Sequence, residues 1–415
     1  METQKNLYDV LKERGFIEQS TNENSLRQLF SKRKVTFYIG FDPTASSFHV
    51  GSLVPIMALA HGQKYDHRPI FLIGGGTGLV GDPSDRDKAR PIMSRQQINQ
   101  NAQSLKKQVS RILNFSKNHA LSLNNADWLV KLNYIEFLRD FGVHFSVNRL
   151  LNSESVKIRL KTGMSFLEFN YQLLQAYDFW HQFKNYNCLI QMGGSDQWGN
   201  IVAGIELIRR LENKGVYGAT FPLIKTASGK KMGKTEQGSI WLDPRETSAY
   251  EYYQFWINTD DDDVIKFLRL FTFLPIEEIE NYAKFKGSEK RKAKEILALE
   301  ATKIIHGQKA AEKARHTSFG LFGKDKERRM GVDLMPTTLL GKEELKKGIS
   351  ISKLFAISGL SKSISEARRL IIQGGGYLDE KRLVDPNLLI KEGNFREGEI
   401  TLRAGKKIYR KIKVK

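Results

Sequence analysis

Cysteine is almost absent: Cys188 is the single one in 415 residues. That excludes an intramolecular disulfide framework and a zinc site built on several cysteines. Long hydrophobic runs are absent too, and without 18 consecutive apolar residues no membrane-spanning helix is expected. The opening METQKNLYDVLKERG lacks the apolar core of a signal peptide. Internal repeats and low-complexity tracts are also missing. The expectation is a soluble, cytoplasmic protein with no membrane association.

What is abundant is positive charge. The formal net charge is +20 and the pI about 9.7. Such an excess favours a polyanionic partner, although a lysine-rich composition bias produces the same number. The excess is uneven: residues 341–415 hold 18 Lys/Arg against 9 Asp/Glu, nearly half of it in the last fifth of the chain. Hydrophobic residues make up 40% of the chain, enough to bury a sizeable core.

The pattern along the chain is that of an α/β protein. Val35–Gly40 (VTFYIG) and Pro69–Ile73 (PIFLI) read as strands, separated by a loop and an apolar helix in which Pro55 lies near the start. Strand, glycine turn, helix, strand is the grammar of a parallel sheet. Residues 95–180 read as mostly helical, 189–192 as a strand and 200–211 as an amphipathic helix. The expected division is a Rossmann-like catalytic domain over 1–225 with a helical insertion near 115–190, and a lysine loop and helical domain over 226–325. A linker over 326–348 and a small basic α+β domain over 349–415 follow.

Two segments suggest phosphate chemistry. His49-Val50-Gly51-Ser52 falls at a strand-loop-helix junction, where free backbone N–H groups and the helix dipole favour an anion. Lys230-Lys231-Met232-Gly233-Lys234-Thr235 puts lysines in a glycine-containing loop able to wrap a polyphosphate. Each segment alone also reads as a structural histidine or a solvated basic loop. A third feature is the helix FLEFNYQLLQAYDFW, where Tyr171, Gln175 and Asp178 share one face at i, i+4 and i+7. Polar groups on an apolar helix need partners, supplied by a structural network or by a ligand. Asp196, just after the strand at 189–192, is placed for ribose hydroxyls. Asp260–Asp263 reads as a helix N-terminus before VIKFLRLF rather than a metal site, and no His/Cys/carboxylate cluster suggests a dedicated metal.

Taken together, HxGx and KMxKx resemble the signature pair of class I aminoacyl-tRNA synthetases. YIGFDPTASSFHVGSLVP, GGGTGLVGDPS, FNYQLLQAYDF, MGGSDQWGN, KKMGKTE and YQFWINTDD resemble the bacterial-type tyrosyl-tRNA synthetases, and the tail resembles their S4-like RNA-binding module. The resemblance implies ATP, L-tyrosine and tRNA(Tyr) as substrates, Mg2+ as counter-ion of ATP, no prosthetic group and a homodimer formed through the helical insertion. It places Tyr171, Gln175 and Asp82 at the substrate ammonium, Asp178 and Tyr38 at its phenol, and Gln197 near the reacting carboxylate. It places Asp196 at the ribose, Gly40, Asp42 and Thr44 in the first loop, and Thr44, His49, Gly51, Ser52, Lys231 and Lys234 around the phosphates. Arg86 and Arg90 are further candidates for pyrophosphate, and Lys362, Arg368, Arg369 and Tyr377 for RNA. Reading the phenol by hydrogen bonds needs no editing domain, a discrimination for which tyrosyl synthetases are themselves the standard example.

The match departs from the family at Ser52, where the first signature usually ends in histidine. Serine is shorter and carries no charge. That keeps open an RNA-binding relative without catalysis, beside a small-molecule nucleotidyltransferase and a tryptophanyl synthetase. Lys231, Lys234, Tyr171, Gln175 and Asp178 argue against the first, the basic tail against the second, and the Tyr38–Asp178 pair against the third.

Overall fold

The computed structural model describes residues 5–84, 93–152, 154–227, 229, 232–235, 238–322, 337–346, 348–395, 398–405 and 408–415. Two compact units emerge: Met1–Thr247 with Phe255–Ile305, and Ser248–Gln254 with His306–Lys415.

The first unit is built on six strands: β1 (Gln19–Ser20), β2 (Thr36–Phe41), β3 (Arg68–Ile73), β4 (Leu121–Asn124), β5 (Cys188–Gly194) and β6 (Tyr217–Phe221). Their order is β1-β6-β5-β2-β3-β4, with β2 to β6 parallel and β1 antiparallel at one edge. Parallel strands covered on both faces read as continuous apolar runs, and Phe37, Tyr38, Ile39, Ile70, Phe71 and Leu72 are all buried. The helix Leu53–Lys64 links β2 to β3 and buries nine of its 12 residues, so it has no polar face to show in the sequence. Pro55 is its third residue, where a missing N–H breaks no intrahelical bond.

From β2 the chain winds outward to β3 and β4, and from β5 it winds the other way to β6. Neighbouring β2 and β5 therefore form the switch point, and their carboxyl ends open a crevice. β4, inside the stretch read as mostly helical, is only four half-buried residues long and carries little strand pattern. A two-strand hairpin, β7 (Lys234–Thr235) with β8 (Gly238–Ser239), follows the sheet.

The helix Val264–Phe271 belongs to this first unit. Trp256 meets Phe271 at 5.0 Å between ring centroids, and Arg14 donates to the Arg269 and Thr272 carbonyls at the end of that helix. Asp263 precedes the helix but does not cap it through its side chain; its carboxylate accepts from the Ala227 N–H at 2.7 Å.

The second unit holds a five-stranded sheet of β9 (Thr337–Leu340), β11 (Gly376–Leu378), β12 (Lys381–Arg382), β14 (Glu399–Ala404) and β15 (Ile408–Val414), in the order β12-β11-β14-β15-β9. The short β10 (Ile349–Ser350) and β13 (Leu389–Ile390) pair separately. Leu354, Phe355, Ile371, Leu402 and Ile412 form its core. β9 lies within the segment read as a linker. It pairs parallel to β15 as an edge strand, and of its four residues Leu340 alone is buried, which leaves almost no apolar period to read.

Candidate active site

The crevice at the ends of β2 and β5 is a cleft of about 290 Å³. One end is sealed. Tyr38 on β2 lies opposite Gln191 on β5, and its hydroxyl is buried without a hydrogen-bond partner. Burial, and then the neighbouring Asp178, hold this phenol well above its ordinary pKa. Asp178, wholly enclosed on the helix Tyr171–Tyr186, receives two N–H donors. Asn125 Nδ2 reaches one carboxylate oxygen at 2.7 Å and Trp128 Nε1 the other at 2.7 Å. Burial pushes the Asp178 carboxyl up to about 7, against the downward pull of those two hydrogen bonds.

The middle of the cleft is a knitted network. Tyr171 donates to Asp42 Oδ2 at 3.1 Å, and Thr77 Oγ1 donates to Asp42 Oδ1 at 2.8 Å. Gln197 Nε2 bridges Asp82 at 2.7 Å and Asp196 at 2.8 Å. Asn200 Nδ2 donates to both Gln175 Oε1 and Gln197 Oε1 at 3.0 Å. Asp82, Asp42 and Asp196 thus bring three carboxylates to one cleft, a strongly cation-attracting floor. The Asp196 side chain folds back over Gly194, where an added Cβ would sit 2.4 Å from Oδ1.

The other end is open and made of turns. Gly40, Thr44 and Ser52 line it, while His49 and Gly51 lie in the adjoining turn, beyond the cleft wall. His49 Nδ1 accepts from the Gly51 N–H at 3.0 Å, which assigns the proton of the neutral imidazole to Nε2. Ser52 makes no side-chain cap to the helix it precedes. The lysine loop docks on this turn through its backbone: Val50 N–H donates to Ile240 and Leu242 N–H to Phe48, at 2.9 and 2.8 Å. The fit is close enough to require two glycines. A Cβ on Gly51 would stand 3.0 Å from the Met232 carbonyl, and one on Gly233, at φ +83°, 3.0 Å from the Gly51 nitrogen. Lys234 begins β7; Lys231, Arg86 and Arg90 lie outside the described residues.

Residues 31–323 match the family of class I tRNA synthetases for tryptophan and tyrosine. The chain is 50% identical to a tyrosine–tRNA ligase of Clostridium botulinum, over 99% of each chain. It is 51% identical to that of Desulfatibacillum aliphaticivorans, over 98% of each. The fold is similar to a C-terminally truncated mitochondrial tyrosyl-tRNA synthetase of Aspergillus nidulans, with a TM-score of 0.70 and 33% identity over 77% of this chain and 95% of that one. The chain belongs to the bacterial-type tyrosyl-tRNA synthetases of class I.

Polar residues that escape the sequence reading are Thr77, Asn125 and Gln191, which line this synthetase's cleft, and Trp128 and Asn200, which hydrogen-bond to residues that line it. Asn125 and Trp128 follow β4, at the carboxyl end of a parallel strand, so recognising β4 would have pointed to them. Asn200 lies one helical turn after Asp196, a spacing that offers it to the same face. In the second unit of the synthetase, Lys362, Arg368 and Arg369 are exposed. Tyr377 is instead covered by the Arg403 guanidinium, 3.7 Å from its ring centroid. Among the described residues no group of three His, Cys, Asp or Glu gathers to hold a metal, and no helix is long and apolar enough to cross a membrane.

Proposed function

We propose that this chain activates L-tyrosine with ATP and transfers it to the terminal ribose of tRNA(Tyr). The observation that carries the reading is the sealed end of the cleft. The buried Asp178 carboxylate and the unpartnered Tyr38 hydroxyl sit together where an aromatic ring entering the cleft would end. A phenol O–H satisfies both: it donates to Asp178 and accepts from Tyr38. Phenylalanine would leave both unmatched, at a cost of about 1–3 kcal/mol per buried polar group.

In this reading Asp82, Tyr171 and Gln175 hold the ammonium, with Asp42 orienting Tyr171. Gln197 lies along the substrate carboxylate, and Asp196 takes the ribose. The carboxylate attacks the α-phosphate in line and pyrophosphate leaves, with no proton transfer at the reacting centre. Rate then comes from positioning and from charge stabilisation by Thr44, His49 Nε2–H, the Ser52 hydroxyl, Lys231 and Lys234, since the Gly51 and Ser52 amides already donate to His49. Gly40 leaves room for the nucleotide, since a Cβ there would meet only Leu72 at 3.9 Å. Mg2+ accompanies ATP as counter-ion of its phosphates.

The exposed basic residues of the second unit fit tRNA backbone contacts, and the helices between the lysine loop and residue 325 fit the anticodon side. A homodimer is supported by apolar residues exposed across the insertion, among them Tyr134, Ile135, Val143, Val147 and Phe166, of which Phe166 is 68% exposed. Such a patch fits a self-complementary interface. A cytoplasmic location accords with the single reduced cysteine and the substrates.

The test is ATP–pyrophosphate exchange with tyrosine, phenylalanine and tryptophan. Exchange with tyrosine alone is expected. A folded protein that binds tRNA yet exchanges with none of the three overturns the reading, and exchange led by tryptophan reassigns the pocket.

A further inference from the structure

The donors on Asp178 are themselves held in place, and they are held differently. The Asn125 side chain is pinned at both ends. Its Oδ1 accepts from the Gly76 N–H at 2.7 Å, and its Nδ2 also reaches Thr77 Oγ1 at 3.0 Å. Trp128 has one polar atom, and that atom is already committed to Asp178. It stands on the four-residue helix Ala126–Leu129, too short to define a side-chain direction by itself. Its indole lies flat on the His181 imidazole, with centroids 4.2 Å apart and planes 15° from parallel. His181 follows Asp178 by three residues on the same helix, so the two side chains present one face to the indole. One takes its N–H and the other supports its ring.

We propose that His181 is a positioning residue for phenol recognition: by stacking on Trp128 it holds the indole N–H on Asp178, and so keeps that carboxylate an acceptor for the substrate hydroxyl. The inference rests on the reading that Asp178 takes the phenol. Stacking needs only a flat ring, and burial favours the neutral imidazole at neutral pH. His181 reaches the substrate through two intermediaries, Trp128 and Asp178, and touches none of the reacting atoms.

The consequence is electrostatic and measurable. Asp178 faces Tyr38 from β2, Asp42 from the loop after it, and Tyr171 and Tyr177 from its own helix. Of these Asp42 opposes its charge, adding to the effect of burial. Asn125 and Trp128 are the groups that favour ionisation. Loosening Trp128 therefore moves the Asp178 titration further upward, within the pH range of assay.

The experiment measures tyrosine KM, ATP KM and kcat for pyrophosphate exchange from pH 6 to 9. The variants are His181→Ala, His181→Phe, Trp128→Phe and the double variant His181→Ala/Trp128→Phe, with Asp178→Asn as reference. His181→Ala is expected to raise tyrosine KM about tenfold at pH 7, the worth of one hydrogen bond to a charged group, with ATP KM unchanged. The limb of tyrosine kcat/KM on the acid side should shift to higher pH. His181→Phe should restore both, and adding His181→Ala to Trp128→Phe should change nothing further. If Asp178→Asn leaves tyrosine recognition intact, the phenol reading itself fails. If Asp178→Asn abolishes it while His181→Ala moves neither KM nor the pH limb, His181 has no positioning role. Equal losses in His181→Ala and His181→Phe, or additive losses in the double variant, also overturn the proposal, and melting curves exclude a folding defect as their cause.

Discussion

The two ends of the cleft are built by opposite means. At the sealed end every group is a side chain on, or directly after, a strand or helix of the sheet layer. Tyr38 sits on β2, Asp178 on the helix behind it, and Asn125 and Trp128 just past β4. At the open end the groups are turns: Val50–Ser52, a two-strand hairpin and backbone amides packed through two glycines. The first end is fixed before substrate arrives and is enclosed, so its hydrogen bonds act at low dielectric. The second end faces a polyphosphate that changes shape and charge during reaction, and it meets that charge with groups carried on turns. Recognition and rate enhancement are thus assigned to enclosed and turn-built parts of one cleft.

The sharpest way to break this contrast is Asp178→Asn. An amide at 178 turns an NH2 toward the donors Asn125 Nδ2 and Trp128 Nε1, both now at 2.7 Å. Losing the charged acceptor and facing donor against donor is expected to lower kcat/KM for tyrosine about 10³-fold, equivalent to roughly 4 kcal/mol. Steady-state exchange with varied tyrosine and with varied ATP checks it; a loss falling on ATP KM instead would place Asp178 at the wrong end.

The same carboxyl gives a pH prediction. Its pKa is about 7 in the folded protein against 3.8 in an exposed carboxyl. A raised carboxyl pKa means that the folded state keeps its proton while the unfolded state has lost it. The stabilisation is full below the unfolded value and is lost as pH rises through about 7. Between those values Asp178 should erode stability by about 1.4 kcal/mol per pH unit relative to Asp178→Asn. Paired urea melts from pH 5 to 8 measure the difference, and a pH-independent gap between the two proteins refutes it. Tyrosine binding has the opposite sense, since the phenol donates to the ionised form: affinity should weaken as pH falls below 7.

How far the sequence foretold each end follows from the same physics. The α/β layering was legible because VTFYIG and PIFLI are buried on both faces and read as unbroken apolar runs. Tyr171, Gln175 and Asp178 were legible because a polar stripe at i, i+4 and i+7 stands out on an apolar helix. Trp128 and Asn125 were not, because a polar residue is singled out only when its setting is apolar. They follow the half-buried strand LSLN, whose pattern is weak, and their importance comes from a carboxylate 50 residues away. Asp42 shows a different failure. The first loop was legible as a site, but the hydrogen bond from Tyr171, which ties the loop to the helix, depends on the sheet register that brings them together. In the tail, β9 was illegible because an edge strand with one buried residue has no period.

A smaller effect tests the turn-built end. Gly233 adopts φ +83°, and a Cβ there would press on the Gly51 nitrogen at 3.0 Å. Gly233→Ala is expected to cost about 1–2 kcal/mol in docking the loop against the turn, and so to lower kcat of pyrophosphate exchange about tenfold. Tyrosine affinity, read by equilibrium binding without ATP, should stay within twofold, because a Cβ at Gly233 would meet Gly51, His49 and Val50, none of them at the sealed end. A change in tyrosine affinity as large as the change in kcat would mean that the two ends are not independent.

The smallest expected effect is at Ser52. Its hydroxyl lines the cleft at the open end and makes no cap to the helix Leu53–Lys64, so replacing it removes no fold contact of its own. Serine offers one neutral hydroxyl to the phosphates; histidine offers a longer donor that can carry charge at the moment charge develops. Ser52→His is therefore expected to raise kcat/KM for ATP about threefold, roughly the value of a partly exposed electrostatic contact, with tyrosine KM unchanged. Exchange kinetics with varied ATP measure it. A clear loss would show that the turn has closed around serine, with Thr44 and Pro55 leaving no space for an imidazole. The open end would then be as tightly specified as the sealed one, and the contrast between enclosed recognition and turn-built charge stabilisation would not hold at this position.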